Sequence, residues 1–368
     1  MPVPVRANLA VNDSTGTHKK NLARQEAFKM NCSNSRTRKK TSMAASALTM
    51  LTLFILATGV VLPLQAQTGS AGEQAPAVTH NTWTSGAALP TPVCCAAAAV
   101  LKNEIYLVGG NAATEEVADV QIYNPATNTW STGVSYPVVV SGASAAVVKN
   151  VLYVFGGSAG GGVPSNAVWA FIPKTKTWTA MAAMPTARWL TAAVVEKNII
   201  YVIGGIVSPT DFVATVESYN PATNTWTEET PMLENKQGPA VGLLGTTIVA
   251  ADGGNPPGFI TGDTEGYDAA TNAWTEFTAD PTARVVSCFG SIGGKFYDAG
   301  GYLDNAGAAA TVNESFQLSK KKWTTTLAPM PQGTFQAGSA VYKGQLYCIG
   351  GFANWNGAPI NNVQIYQP

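Results

Sequence analysis

Two residue markers recur along the chain at nearly the same spacing, and this regularity limits the possible folds more than any other feature. Gly-Gly pairs occur at Gly109-Gly110, Gly156-Gly157, Gly204-Gly205, Gly253-Gly254, Gly300-Gly301 and Gly350-Gly351, in steps of 47, 48, 49, 47 and 50 residues. A tryptophan recurs in phase with them, at Trp83, Trp130, Trp178, Trp226, Trp274 and Trp323. Such a period indicates an array of similar structural units, each too small to bury its apolar face alone.

An aromatic residue seven positions before five of these tryptophans is the third marker. The aromatic residues are Tyr123, Phe171, Tyr219, Tyr267 and Phe316. The segment Tyr-Asn-Pro-Ala-Thr-Asn-Thr-Trp occurs twice, at 123–130 and 219–226. This pattern resembles the kelch repeat, in which an apolar strand ends in Gly-Gly and an aromatic residue, six residues and a tryptophan follow. The resemblance covers residues 78–368 and implies a β-propeller, a fold that carries binding modules and enzymes alike.

One period fits four short β-strands. In the third repeat we predict strands at 190–195, 199–203 and 214–219, and a fourth strand at Trp226. Lys197-Asn198 provides a two-residue turn of the kind that hairpins favour. The first strand of each repeat is rich in small residues, as expected where blades crowd around an axis, at 96–99, 142–146, 192–193, 240–242, 287–288 and 337–340.

The two ends of the repeat region complement each other. The last repeat stops at Pro368 after its third strand, whereas 78–85 carries Trp83 without a preceding aromatic residue and reads as a lone fourth strand. Joining them removes two exposed sheet edges. We therefore predict an all-β fold: a six-bladed β-propeller with four antiparallel strands per blade, in which the N-terminal strand completes the last blade.

Charge divides the chain into a basic leader and an acidic body. Residues 1–66 hold 9 Lys and Arg against 2 Asp and Glu, and the remaining residues hold 13 against 20. The acidic body has no basic stripe, which argues against nucleic acid as a partner.

The leader reads as an export signal. Residues 36–66 contain a basic start, an apolar run over 43–62 and a small residue, Ala66, before a plausible cleavage point. We predict a signal peptide at 36–66, with an uncleaved membrane anchor as the alternative. Residues 1–35 are predicted to be a disordered extension or a misassigned start, with Met30 as the true start, and 67–77 a linker. The propeller would then be a bacterial exported domain, periplasmic or extracellular, in contact with a membrane only if the leader stays uncleaved.

Four cysteines lie within the repeats: Cys94, Cys95, Cys288 and Cys348. An even number in an oxidising compartment permits disulfides. Because these positions resemble buried strand sites, we favour buried thiols. A Cys94–Cys95 bridge, or a link from that pair to Cys348, is the alternative.

A ligand site is expected on the face of the disc that carries the connections between strands 2 and 3 and between successive blades. The residue 17 positions before the second glycine of each pair should begin strand 1 at the channel mouth, which gives Val93, Val140, Arg188, Gln237, Arg284 and Thr334. Two arginines there, with Lys236 adjacent and aromatic residues in the loops, suit an anionic group and a stacked ring. The predicted ligand-binding residues are Arg188, Arg284, Gln237, Lys236, Trp355 and Tyr302. The alternative is that the arginines hydrogen-bond loop carbonyls around the channel.

Several chemistries are excluded by composition. His18 and His80 are the two histidines; His18 lies in the leader and His80 at the rim, in the closing strand. A Ser-His-Asp triad is therefore not expected, and a site of several histidine ligands is excluded. No phosphate-binding glycine motif is present. Glu217, Glu265 and Glu314 recur in phase with the repeat and are therefore predicted to be structural. We predict no cofactor and no metal site.

Two functions remain from different classes. The first is an extracytoplasmic binding module that recognises a glycan or protein ligand at the channel mouth, with an anionic ligand as one option. It requires no catalytic residue, and no catalytic residue is marked by spacing. The second is an enzyme acting on an acidic sugar, because bacterial sialic-acid mutarotases are six-bladed exported kelch proteins. That similarity rests on architecture alone, and the binding module is favoured.

Overall fold

A computed structural model describes residues 80–208, 210–255, 259–303 and 308–368. The predicted leader segments at 1–35, 36–66 and 67–77 lie outside this range. Within the described residues, no helix is long and apolar enough to cross a membrane. The chain forms six four-stranded antiparallel sheets, so the predicted all-β six-bladed propeller is confirmed.

The blades follow one another along the chain. Blade 1 consists of β2 (Ala97–Leu101), β3 (Glu104–Val108), β4 (Val120–Asn124) and β5 (Thr129–Thr132). Blade 2 consists of β6 (Ser144–Val148), β7 (Val151–Phe155), β8 (Val168–Ile172) and β9 (Thr177–Ala180). Blade 3 consists of β10 (Ala192–Glu196), β11 (Ile199–Ile203), β14 (Val216–Asn220) and β15 (Thr225–Glu229).

The second half repeats this pattern. Blade 4 consists of β16 (Ala240–Leu244), β17 (Thr247–Ala251), β20 (Thr264–Asp268) and β21 (Ala273–Glu276). Blade 5 consists of β22 (Cys288–Ile292), β23 (Lys295–Ala299), β24 (Asn313–Gln317) and β25 (Lys322–Thr324), with a 3₁₀ turn at Leu318–Lys320. Blade 6 consists of β26 (Gly338–Tyr342), β27 (Gln345–Ile349), β28 (Val363–Gln367) and β1 (Thr82–Ser85). Two small hairpins lie in loops: β12 (Ile206–Ser208) with β13 (Asp211–Phe212), and β18 (Gly254–Asn255) with β19 (Phe259–Ile260).

The N-terminal strand closes the ring as predicted. β1 pairs antiparallel with β28, and Trp83 lies opposite Tyr366. His80 precedes this strand, and its Nδ1 lies 2.6 Å from the carbonyl oxygen of Pro368. The edge strand of blade 6 is thereby covered by the other end of the chain, which removes a sheet edge that would otherwise be open to pairing.

Antiparallel order gives the disc two different faces. The tight turns between strands 1 and 2 and between strands 3 and 4 lie on one side, here named the turn face. The loops between strands 2 and 3 and the connectors between blades lie on the other side, the loop face. β1 runs from the turn face to the loop face, because it is a fourth strand.

The recurring tryptophan and asparagine clamp four of the six blades to the connector that enters each of them. The Trp226 indole donates a hydrogen bond to the Ala182 carbonyl (2.9 Å), while the Ala182 N–H donates to Asn224 Oδ1 (2.8 Å). Tyr219 completes the clamp, since its hydroxyl donates to the same Asn224 oxygen. The same triad operates in blades 1, 4 and 6. The recurring tryptophan therefore has a structural role in these four blades.

Blade 4 departs from the predicted glycine register by one residue. The residue whose N–H bonds across the loop after strand 2 is Gly204 in blade 3 and Gly300 in blade 5, but Asp252 in blade 4. Asp252 has the left-handed φ of 59° found at those glycines. The equivalent pair is thus Asp252-Gly253, not Gly253-Gly254. The steps on either side become 48 and 48 residues instead of 49 and 47.

The cysteines pair differently from either predicted bridge. Cys288 and Cys348 form a disulfide, so the preference for thiols at these two positions is wrong. The reason is that β22 of blade 5 packs against β27 of blade 6, which places residues 60 apart in sequence side by side. Cys94 and Cys95 are buried, with their Sγ atoms 2.9 Å apart.

Candidate binding face

A closed ring of backbone hydrogen bonds surrounds the axis near the loop face. The residue that follows each connector donates its N–H to the equivalent carbonyl of the preceding blade, at 2.7–3.2 Å. The six residues are Cys95, Gly142, Leu190, Gly238, Val286 and Gln336, and all have φ between 51° and 61°. A left-handed backbone is unfavourable for a β-branched residue such as Val286, so the closed ring must over-determine this conformation.

The channel behind this ring is narrow and apolar. It encloses a cavity of about 340 Å³ lined by the small residues of the six first strands. Alanine, serine and glycine dominate the lining, as the sequence predicted from the crowding of strands at the axis. Because a charged ligand would find few partners in it, we look for the binding surface outside the ring.

An apolar cap covers the ring on the loop face. Its buried members are Cys94, Cys95, Trp189, Leu190, Ile206, Phe212, Val285, Val286, Phe335 and Phe352, and its partly buried members are Ile260, Tyr302, Ala309 and Trp355. Six isolated bridges, one per blade, tie the cap to the loops, as between Phe335 and Phe352. Trp189, which follows Arg188, also lies in this cap and is 5% exposed.

Three rings of the apolar cap form a stack at blades 5 and 6. Trp355 lies nearly parallel to Phe335, with ring centroids 5.7 Å apart at an interplanar angle of 14°. Tyr302 is tilted against Trp355 at 4.8 Å. Trp355 and Tyr302 are only partly buried, and the repeat pattern requires neither. Two of the six predicted site residues are therefore brought together on the expected face.

Buried polar atoms around the apolar cap lack partners among the described residues. They are Asn111 Nδ2, Trp189 Nε1 and Gln237 Oε1, on side chains that are 5–8% exposed. Native proteins satisfy most buried polar groups, so such atoms require an explanation, such as a bound water or ligand. Gln237, a predicted site residue, thus lies on the face and offers an amide.

The predicted arginines do not reach this face. Arg188 is fully buried and pairs with Glu217 at 2.7 Å, and its guanidinium also donates to the carbonyl of Gly204 at 2.8 Å. Burial lowers the pKa of Arg188, while Glu217 opposes that shift. Arg284 is equally buried and contacts Glu314 and Asp280. This geometry corresponds to the structural alternative of hydrogen bonds to carbonyls, and direct contact of either arginine with a ligand stays a prediction.

Lys236, not Gln237, belongs to the arginine series. In the corrected register the series is Val93, Val140, Arg188, Lys236, Arg284 and Thr334, and each carbonyl accepts a hydrogen bond from the second residue of the preceding glycine pair. Lys236 is fully buried and pairs with Glu265 at 3.3 Å. Glu217, Glu265 and Glu314 are structural, as predicted, because each pairs with the cation of its own blade.

The charge of the loop face is neutral to acidic. Of the 13 basic residues in 80–368, Arg188, Lys236 and Arg284 are buried, and the others lie at the turns of the opposite face. Glu115, Asp211 and Glu234 lie in loops or connectors of the loop face. An anionic group would thus meet no exposed described cation on the face with the aromatic stack.

Six antiparallel four-stranded sheets arranged around an axis define a six-bladed β-propeller, which is a class of repeat protein. The apolar cap lies on its loop face. Residues 97–301 match the family model described as the KLHDC2/KLHL20/DRC7 Kelch-repeats domain, and residues 333–368 match the Kelch motif. The chain belongs to the kelch-repeat family.

Comparison with other proteins adds information on the fold. No match was found among the curated proteins. The solved structure of YjhT is similar, with a TM-score of 0.66 at 18% identity, over 75% of this chain and 95% of that chain. At this identity the likeness concerns the fold alone.

Proposed function

We propose that this propeller is a binding module whose loop face recognises a neutral glycan by stacking a sugar ring on Trp355 and Tyr302. The observation that carries the proposal is the partly exposed aromatic stack on the apolar cap. Aromatic rings offer a large rigid contact surface, and nearby amides provide the hydrogen bonds that fix the orientation of a ligand. The kelch family is consistent with a binding or interaction module.

A neutral ligand fits the charge of the face better than an anionic one. The two described guanidiniums are buried against glutamates, and the loop face exposes carboxylates instead. Anionic recognition normally uses exposed arginine or lysine donors. For the same reason, the alternative of an enzyme acting on an acidic sugar has no guanidinium available on this face for a carboxylate.

The test is glycan-array screening of the purified protein, followed by calorimetric titration with the best neutral oligosaccharide and with sialic acid. We expect Trp355→Ala and Tyr302→Ala each to weaken binding of the neutral sugar at least tenfold. Loss of a stacked ring costs about 1–2 kcal/mol, close to a factor of ten in affinity. Val163→Ala, an exposed apolar residue in a peripheral loop of the same face, is the matched control and should bind like the wild type.

Two results would contradict the proposal. If Trp355→Ala binds the neutral sugar as tightly as the wild type, the site is not the aromatic stack. If sialic acid alone binds, and the protein accelerates the interconversion of its anomers, the acidic-sugar enzyme is the correct function. An array with no glycan bound would favour a protein ligand.

A further inference from the structure

Three buried aspartates meet at the junction between blades 4 and 5. Asp252 follows β17, Asp280 lies in the connector before β22, and Asp298 lies in β23. Their side chains belong to residues that are 1%, 5% and 0% exposed. One carboxylate oxygen from each lies within 4.8 Å of the others.

The fold does not need acids at these positions, because the other five junctions lack them. The residues equivalent to Asp252 are glycines: Gly109, Gly156, Gly204, Gly300 and Gly350. The residues equivalent to Asp280 are Leu89, Tyr136, Met184, Met232 and Met330. The residues equivalent to Asp298 are Leu107, Val154, Val202, Ala250 and Cys348. Three apolar or glycine positions have thus become acidic at one junction.

Asp252 also occupies a backbone position that favours glycine. Its φ is 59°, in the left-handed region. At the other five junctions a Cβ here would collide with the backbone carbonyl that begins the next blade, as with Arg188 beyond Gly156. The chain accepts an unfavourable conformation at this junction in order to place a carboxylate there.

The positive charge at the junction does not balance three aspartates. Arg284 pairs with Glu314, as Arg188 pairs with Glu217 in blade 3. The same guanidinium lies 3.1 Å from Asp280 Oδ2 and 3.8 Å from Asp252 Oδ2. One cation thus faces four carboxylates in a region closed to water, and buried charge without compensation is strongly unfavourable.

Asp298 directs unpartnered oxygens into this group. Among the described residues, no donor meets hydrogen-bond geometry with either of its carboxylate oxygens, nor with Asp252 Oδ2. Burial raises the pKa of Asp298, opposed by Arg284 and by interactions with Asp252 and Ser287. Burial likewise raises the pKa of Asp252, and the neighbouring aspartates add to that shift. The geometry of the unpartnered oxygens, rather than the protonation state of the carboxylates, points to a cation at this junction.

We propose that Asp252, Asp280 and Asp298 together bind one hard divalent cation, with Ca²⁺ as the best fit. The donor set consists of carboxylate oxygens alone, which Ca²⁺ and Mg²⁺ prefer over softer ions. One oxygen from each carboxylate lies within 4.8 Å of the others, so all three can reach a single ion. Ca²⁺ takes six to eight oxygens and accepts carboxylates through one or both oxygens, whereas Mg²⁺ usually keeps several waters, for which a closed site is less suitable. The ion supplies the missing positive charge and links blade 4 to blade 5, independently of any glycan on the loop face.

The experiment uses the full-length protein, stripped of metal with EDTA and then titrated separately with CaCl₂, MgCl₂ and MnCl₂. Metal content is measured by mass spectrometry and stability by thermal unfolding. We expect one equivalent of Ca²⁺ and, at about 100 times the dissociation constant, a rise of roughly 5 °C in Tm. A Tm unchanged by all three ions, with no metal retained, would overturn the proposal and leave the aspartates holding protons.

Variants assign the effect to this junction. Asp252→Gly with Asp280→Met and Asp298→Val copies the junction between blades 2 and 3, and should unfold at the same temperature with Ca²⁺ or EDTA. The matched control, Glu115→Gln with Glu228→Gln and Glu276→Gln, removes the same charge from exposed positions and should keep the Ca²⁺ response. Asp298→Asn conserves the side-chain volume and is expected to weaken the binding of Ca²⁺ at least tenfold. A full Ca²⁺ response in Asp298→Asn would place the ion elsewhere and refute the assignment.

Discussion

Arg188, Lys236 and Arg284 each neutralise a glutamate on the third strand of their own blade, next to the loop face. Where the cation is absent, the glutamate is absent too: blade 1 has Val93 and Gln121 at the two positions. Gln121 then bonds to the backbone of Thr91 through its amide. The cation and the glutamate therefore occur together in a blade or are both replaced by uncharged residues.

We predict that Arg188→Val alone destabilises the protein by about 3–5 kcal/mol, because Glu217 is left buried without a partner. The double variant Arg188→Val with Glu217→Gln copies blade 1 and should recover most of that loss. Urea unfolding of the wild type and both variants measures the difference. Equal destabilisation of the single and double variants would show that Glu217 does not depend on Arg188.

The site residues show what could not be predicted from sequence. Spacing placed Arg188 and Arg284 at the start of strand 1, but both lie in the connector, four residues before β10 and β22 begin. Spacing also carries no information on which way a side chain points. Trp355 and Tyr302 were predicted as aromatic residues in loops of the loop face, where the structure places them, and their contact with a ligand stays a prediction. Asp298 was missed, although an acid in an otherwise apolar strand 2 was the available signal.

At the level of elements, the repeat markers predicted the strands and the closure of the ring, but not the side-chain contacts between neighbouring blades. The strand at 199–203 was predicted with its observed bounds, since a tight turn and a Gly-Gly pair delimit it. The predicted register of blade 4 was wrong by one residue, because Gly253-Gly254 matches the Gly-Gly marker in sequence whereas Asp252-Gly253 makes its hydrogen bonds. The disulfide was missed because its partners lie on different blades, and spacing along the chain does not reveal contacts between blades.

We predict that the Cys288–Cys348 disulfide stabilises the closed ring by linking blade 5 to blade 6. Cys288→Ala with Cys348→Val installs residues found at these positions in blade 3, Ala192 and Val202. Its free energy of unfolding should fall by about 2–4 kcal/mol under non-reducing conditions. In dithiothreitol the wild type should lose the same amount and the variant nothing. If dithiothreitol leaves the free energy of unfolding of the wild type unchanged, the disulfide does not have this role.

On the scale of the whole molecule, charge is divided between the two faces. The turns of one face carry ten lysines: Lys102, Lys149, Lys174, Lys176, Lys197, Lys295, Lys320, Lys321, Lys322 and Lys343. Three acids lie at the same turns, Glu104, Glu196 and Asp268. The other acids among the described residues lie toward the loop face or inside the blades. A body of negative net charge therefore presents one strongly basic side.

On a negatively charged surface, this distribution of charge would fix the orientation of the molecule. The turn face would lie against that surface, and the aromatic stack on the loop face would point away from it, open to a ligand. The chain also enters β1 from the turn face. If the leader is an uncleaved anchor, the basic face is the one turned toward the membrane, where each lysine near an anionic lipid contributes about 1 kcal/mol.

We predict that the protein binds vesicles containing anionic phospholipid at low salt in spite of its negative body, because adsorption depends on the face presented and not on net charge. Lys102→Asn with Lys149→Asn and Lys343→Asn should abolish this binding, and asparagine tolerates the left-handed φ of these turns. The control Thr114→Glu, Val163→Glu and Asn354→Glu lowers net charge by the same three units at exposed loop-face positions and should bind like the wild type. Cosedimentation with the vesicles at rising salt concentration measures the binding of the two triple variants and the wild type. Binding of the wild type should vanish once the Debye length falls below about 8 Å. Equal loss in the two triple variants would mean that net charge alone governs adsorption and that the faces are not distinguished.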